Sequence, residues 1–419
     1  MQPANTTPTN MRSWLTVFAA ASFFFLINSA TNLTAITPYL STKLHFDSTK
    51  IGFLFACYYY ANTLFVFWAG IILDRFSPKK VLLISYIVAN LSILVIALTD
   101  SIVYLSLSRL ALGIVGSFSM LNCFQIIKRC FPPQKIIFIT GLASTYASLG
   151  GLFAQAPLVI IIEKLGLQQG LLLNLWLGLI FGAFTLIFAQ DFPPNIQRQP
   201  TNNTMGFIYS IKRIITNKQN WLIGIYTSLC ALPGLFFGAS WGILYLQQAK
   251  NFSQIDSAYI LSLGTIGSII GSTAIGWLAD KLPSCKLLLI ISNLLSLLLF
   301  LIIIYIAQPF FEVFVLLFFI LGFIGSSQVV IYPIIATINP AALVSTATGF
   351  VSALTAFSGI YMLPLSWLID FTKEKEDYNF YPTMIALTII MAVSIFLALF
   401  IQRPKMERLP KIDGSEGVS

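Results

Sequence analysis

Arg109 is the residue of this 419-residue chain with the most chemistry to offer, because it lies inside the apolar run 102–127. A guanidinium placed there in a membrane costs at least about 2.5–3.5 kcal/mol, so it must face a wet cavity or a partner. It sits about seven residues in from the outer end of its run, roughly 10 Å at 1.5 Å per residue. Asn28 and Asn32, one helical turn apart on the first apolar run, put Asn32 at a similar depth. A guanidinium beside amides suits a carboxylate, which it can hold bidentately. The alternative pairs Arg109 with an outer acid such as Asp100, or with backbone carbonyls. Tyr58 and Asn62 form a polar-aromatic patch on the second run, with Tyr59 and Tyr60 between them. Pro233-Gly234 interrupts the seventh run, and Trp241 follows two turns later. Gln328 and Tyr332 on the tenth run and Tyr361 on the eleventh complete the candidate substrate-binding set. Each of these also suits helix packing, since polar side chains join membrane helices routinely. A single His45 rules out a histidine metal cluster, and no nucleophile–base pair occurs. Neither an enzyme nor a cofactor is implied.

The elements that must position these residues follow from composition. Hydrophobic residues make up 57% of the chain and charged residues 9%, against about 25% charged in soluble domains. Lipid must be the main solvent. Apolar runs fall at roughly 14–40, 48–73, 81–99, 102–127, 136–162 and 169–189, then 220–247, 257–279, 287–306, 313–337, 344–369 and 381–401. Each approaches or exceeds the ~20 residues that span a hydrocarbon core. Backbone groups in lipid must be bonded internally, so the runs are helices. The fold class is all-α: twelve transmembrane helices in two six-helix bundles. The bundles occupy 1–189 and 220–401, joined by a connector over 190–219 and followed by a tail over 402–419. Residues 205–217 of the connector (MGFIYSIKRIITN) read as an amphipathic helix on the membrane surface. With a cytoplasmic N-terminus, seventeen Lys and Arg fall in inner segments and six in outer ones, which places both termini inside. The net charge of +9 is thereby a membrane-topology signal, not a nucleic-acid footprint. Five cysteines in apolar runs or inner gaps argue against a disulfide framework.

A repeat ties the two bundles together. Residues 70–83 read GIILDRFSPKKVLL and residues 276–289 read GWLADKLPSCKLLL; Gly70 and Gly276, Asp74 and Asp280, and Lys80 and Lys286 are each 206 positions apart. The stretch resembles the signature loop of the major facilitator superfamily, matched here by Gly70, Asp74, Arg75, Lys79 and Lys80, with Ser77 in place of its second glycine. Gly276, Asp280, Lys281 and Lys286 echo it more loosely. The resemblance covers nearly the whole chain and implies transport by alternating access. A side-chain-free Gly70 lets a facing helix approach, and Asp74 can bond amides at a neighbouring helix N-terminus, where the dipole favours an anion; the resemblance implies that this neighbour is the start of the eleventh helix. The two loops are therefore candidate inner gates; simple topology anchoring is the plainer alternative. Residues 105–116 (LSLSRLALGIVG) resemble a second pattern of the superfamily, and its architecture puts spans 1, 4, 7 and 10 around a central cavity. The fifth span departs from the exchanger pattern, with Gly150-Gly151 before Ala156-Pro157.

Spans 1 and 2 further resemble the phagosomal nutrient transporters of intracellular bacteria, in residues 18–25 (FAAASFFF) and 56–77. That resemblance implies a secondary active or facilitative multi-pass importer in a bacterial inner membrane, for an amino acid or, as the alternative, a nucleoside; a drug or siderophore exporter would share the whole architecture. The partners implied are a small-molecule substrate, the lipid bilayer and a proton as candidate coupling ion for symport. The chain is expected to work as a monomer and to bind no nucleic acid.

Overall fold

The computed structural model describes residues 11–190, 207–281, 285–306, 310–340, 343–371 and 378–402. The tail from 403, connector residues 191–206, the acidic stretch 372–377 and the side chains of Asp74, Arg75 and Asp280 lie outside the described residues. Twelve long helical segments are found among the described residues, and no strand. They are α1 (Met11–Thr31), α2 (Ser48–Arg75), α3 (Pro78–Leu98), α4 (Ile102–Cys130) and α6 (Leu167–Phe188), with α5 formed by Pro133–Phe153 and Ala156–Leu165. The second set is α7 (Lys218–Leu235 continued by Gly242–Lys250), α8 (Gln254–Lys281), α9 (Cys285–Tyr305), α10 (Phe311–Gly325 and Ile331–Ile338), α11 (Val344–Ala356 and Met362–Phe371) and α12 (Tyr381–Ala398). Eleven meet the length and hydropathy needed to cross a membrane by their described residues alone. The remaining one, α2, is 28 residues long.

Local chemistry starts these helices. Asp47 caps α2 by accepting from the Lys50 amide at 2.8 Å. Ser77 caps α3, and Pro78 follows at its first position, where a missing N–H costs nothing. Interruptions are equally local. In α7, Pro233 precedes a π-helical turn over Phe236–Trp241. In α5 the helix breaks at Gln155, two residues before Pro157. In α11 a 3-10 turn runs over Phe357–Tyr361. The connector helix, Phe207–Thr216, buries Ile214 against the second set of helices.

The sequence distinguishes two ends of the bundle. One, the basic end, carries Lys79, Lys80, Lys128, Arg129, Lys281 and Lys286; the other is called the far end here. The apolar cores differ between them. At the far end one continuous cluster draws on both sets, from Leu33, Ile51 and Val159 to Trp241, Ala258 and Ile369. Toward the basic end the cores are separate: Val17, Tyr86, Ile126 and neighbours in the first set, and Ile223, Leu289, Ala347 and neighbours in the second. The bundle is thus sealed at the far end and parted at the basic end.

A carboxylate closes one side of that seal. Asp370, near the end of α11, accepts from the Ser48 amide at 2.9 Å, the Thr49 amide, and the Thr49 hydroxyl at 2.6 Å. It therefore caps the first turn of α2 from the other set of helices, satisfying amides that have no partner within their own helix. Tyr378 adds to the seam, meeting Ser41 at 2.8 Å and donating to the Phe46 carbonyl at 3.2 Å. Burial pushes its hydroxyl above the ordinary phenol range; the Ser41 bond opposes this, and the nearby Asp370 and Asp47 reinforce it. Hydrogen bonds to a charged group contribute about 1.5–3 kcal/mol each, so Asp370→Ala should loosen the far end. In a background without the native cysteines, a cysteine at Ala258 should then react several-fold faster with a maleimide. An unchanged labelling rate would remove Asp370 from the seal.

Candidate functional site

In lipid, a broken helix leaves backbone groups that only tertiary contacts can satisfy. The end of α1 and the break in α7 meet each other. Asn32, just past the end of α1, donates its Nδ2 to the Gly238 carbonyl in the π-turn at 3.0 Å, and these two positions are 206 apart, the offset of the repeat. The Leu33 amide donates to the Ala239 carbonyl at 2.9 Å, and the Thr37 hydroxyl to the Ser240 carbonyl at 2.9 Å. Gln155, at the break in α5, also donates to the Gly238 carbonyl, at 2.9 Å, and accepts from the Thr265 hydroxyl of α8 at 2.9 Å.

Beneath this junction lies a cavity of about 200 Å³ between the two sets of helices. Its polar lining comes from Asn28, Thr31 and Asn32 of the α1 region, Tyr59 of α2, Gln155 of α5 and Thr265 of α8, with the Gly238 backbone opposite. Amides, hydroxyls and one aromatic ring make up the polar surface. The lining can donate and accept hydrogen bonds and stack a planar group, without carrying a full charge.

The structure places the sequence candidates unevenly. Asn28 and Asn32 line the cavity; Asn28 donates its Nδ2 back to the Phe24 carbonyl of its own helix at 2.9 Å. Arg109 does not. It is 2% exposed, and its guanidinium is held by backbone carbonyls: Nη1 donates to Thr31 at 2.8 Å and Ala30 at 3.5 Å, and Nε to Leu54 at 3.2 Å. Those first two carbonyls belong to the last turn of α1, where no further amide can reach them and a cation is favoured. These are the backbone carbonyls of the alternative reading, and they hold the guanidinium within the helix packing.

Tyr58 also packs instead of lining the cavity. The Arg109 guanidinium lies over its ring, 5.6 Å from the centroid, and Gly113 and Gly116 are the reason α4 can approach it so closely. Asn62 reaches the Gly113 carbonyl at 3.4 Å. Trp241 is fully buried, its Nε1 donating to the Ser366 hydroxyl at 2.9 Å. Gln328 lies in a 3-10 turn of α10, half-buried, and Tyr332 and Tyr361 are exposed. Four polar residues that sequence reasoning left out of its site set, Thr31, Tyr59, Gln155 and Thr265, line the cavity instead. A lone glutamine two positions before a proline in an apolar run was the available signal for Gln155.

The repeated loops show a second difference. A side chain added at Gly70 or Gly276 would meet nothing within 4 Å, so the close helix approach anticipated there is absent where the bundle is parted. Lys79 donates from Nζ to the Leu186 carbonyl of α6 at 3.0 Å, and Lys286 to the Leu399 carbonyl just past α12. Both lysines thus cap helix ends within their own set. Lys80 supplies its amide to the Ser77 cap at 3.3 Å, and the Lys281 ammonium lies 3.6 Å from the Trp277 ring centroid.

A family model of the Major Facilitator Superfamily matches residues 18–292 and again residues 259–417. The chain belongs to the Major Facilitator Superfamily. A nucleoside transporter of known crystal structure, NupG, shares the fold with a TM-score of 0.77 at 16% identity, over 94% of this chain and 100% of its own. A probable sulfoacetate transporter of Cupriavidus necator is 20% identical over 62% of this chain and 63% of its own length. A hexuronate transporter of Bacillus subtilis is 22% identical over 64% of this chain and 63% of its own. The matched part of this chain therefore spans just under two thirds of those two curated relatives. Neither is named for an amino acid, so the narrower phagosomal and amino acid resemblance gains no support from them. As a member of the superfamily, with eleven helices long and apolar enough to cross a membrane among its described residues, the chain is a multi-pass membrane protein.

Stranding a buried carbonyl costs about 1–3 kcal/mol, which sets the expectation for Arg109 as a helix cap. Arg109→Ala should lower the unfolding temperature of the purified protein by several degrees. Arg109→Lys should not restore it, since one ammonium cannot span the Thr31 and Leu54 carbonyls with planar geometry. An alanine variant as stable as the wild type would show that the cap is dispensable.

Proposed function

We propose that this transporter carries an uncharged, hydroxyl-bearing solute of the nucleoside type, importing it across a bacterial inner membrane by alternating access. The observation that carries the reading is the cavity lining: the amides of Asn28, Asn32 and Gln155, the hydroxyls of Thr31 and Thr265, and the Tyr59 ring. Amides and hydroxyls match the hydroxyl and base edges of such a solute, and the ring offers a stacking face. An amino acid would bring a carboxylate and an ammonium to a site whose lining supplies no counter-ion for either, with Arg109 already committed to carbonyls. The excess of Lys and Arg in the segments at the basic end supports a cytoplasmic location for that end and for both termini. On that orientation the present state is open to the cytoplasm. The Gly70–Asp74 loop and its echo would close this end in the alternate state, as α2 approaches the start of α11. The bundle boundaries proposed for this motion are residues 1–189 and 220–401, with the connector allowing them to rock.

A second reading, a small organic anion, draws on the relatives named for sulfoacetate and hexuronate. One observation favours it: Arg109 Nη2 is buried with no hydrogen-bond partner among the described residues.

Ligands that bind only the folded state raise apparent stability, by about 2.7 kcal/mol at a hundred times Kd. Thermal unfolding of the purified protein with uridine or adenosine, and separately with sulfoacetate or glucuronate, distinguishes the readings. Stabilisation by nucleosides, with uptake of the same nucleosides into proteoliposomes, is the expected result. Stabilisation by the anions alone would replace it with the second reading.

A further inference from the structure

Gln155 occupies an unusual position. It is 2% exposed, lies at a break between two helical pieces, and lines the cavity. Both ends of its amide are engaged, and both partners belong to the opposite set of helices. Nε2 donates to the Gly238 carbonyl of α7 and Oε1 accepts from the Thr265 hydroxyl of α8. The neighbouring Ala156 amide crosses the same seam to the Ser262 hydroxyl at 3.0 Å. Any opening of the far end must draw α5 away from α7 and α8. That movement strands a buried amide, and an unsatisfied buried donor and acceptor each cost about 1–3 kcal/mol.

We propose that Gln155 is the specificity-determining residue of this cavity, and that it reads a solute by exchanging its two bonds across the seam for a lactam or imide edge. Such an edge carries a carbonyl and an N–H side by side. The carbonyl takes the Nε2 donor in place of Gly238, and the N–H gives to Oε1 in place of Thr265. The solute thereby satisfies the amide that far-end opening would otherwise leave bare, so a loaded carrier opens there more readily than an empty one. Pyrimidine bases such as uracil present this edge. The inference rests on the nucleoside reading above and adds to it which atoms of the base are read.

Methylation at N3 of uridine removes the N–H of that edge and leaves the ribose intact. Uridine and N3-methyluridine are titrated against the purified full-length protein, with thermal unfolding and equilibrium binding as readouts, in the wild type, Gln155→Ala and Gln155→Glu. A site built around a hydrogen bond rejects an analogue that cannot make it. The wild type should bind uridine about tenfold more tightly than the methylated form, the preference expected of one well-made bond. In Gln155→Ala the two affinities should converge. Gln155→Glu, which accepts but cannot donate to the carbonyl when ionised, should weaken uridine.

Equal wild-type affinity for the two nucleosides would overturn the inference while leaving the nucleoside reading standing. That comparison needs no variant, so it decides the matter even if Gln155→Ala fails to fold. A preference that persists unchanged in a folded Gln155→Ala would likewise overturn it. Binding of neither uridine form would remove this inference, and the adenosine arm of the preceding experiment would then decide the nucleoside reading by itself.

Discussion

Backbone amides and carbonyls cannot be left bare in a bilayer, and this protein breaks its helices where the two sets meet. The end of α1 and the π-turn of α7 each expose polar backbone that their own helices do not satisfy. They satisfy each other, through Asn32, Leu33 and Thr37 on one side and the carbonyls of Gly238, Ala239 and Ser240 on the other. The placement of the other polar groups follows from this junction. Arg109 is drawn to the Ala30 and Thr31 carbonyls at the end of α1, and Gln155 to the Gly238 carbonyl. The cavity forms beneath the same junction because broken helices leave room that side chains there do not fill.

The two seams at the far end are sealed by different chemistry. Between α2 and α11 the contact is a carboxylate on helix amides, Asp370 to Ser48 and Thr49. Gly359 lets the Tyr59 ring press against α11 on the same side. Between α5 and α8 the contacts are neutral, Gln155 to Thr265 and the Ala156 amide to Ser262. A repeat that began as two like halves has diverged in how each seam is held. The neutral seam borders the cavity and the charged one lies nearer the far surface.

The state of the molecule explains why some motif residues look idle. With the cores of the two sets separate at the basic end, Gly70 and Gly276 face open space. Lys79 and Lys286 meanwhile serve as caps for α6 and α12, each within its own set. The repeat aligns Lys80 with Lys286 by sequence offset, yet Lys79 makes the equivalent contact, because helix phase and not chain position decides which lysine reaches the neighbouring carbonyl.

Much was legible in the chain before any contact was known. Apolar runs of roughly 20 residues required helices, since a spanning helix bonds its own backbone over that length while a barrel strand needs only about half of it, and the 206-residue offset required two related sets. The depth of Arg109 announced a buried cation that needed partners. What those partners are could not be read. A guanidinium binds carboxylates and helix-end carbonyls by the same geometry, and only the course of α1, ending at Thr31 beside α4, made the carbonyls available first. Likewise a glutamine and a threonine in separate apolar runs carry no mark of function. Long-range packing brought Gln155 and Thr265, 110 positions apart, to a single cavity wall. Sequence alone determined the class of fold, because that follows from solvent and periodicity. The tertiary structure decided which polar groups line the cavity, because that depends on which of them the backbone had already claimed.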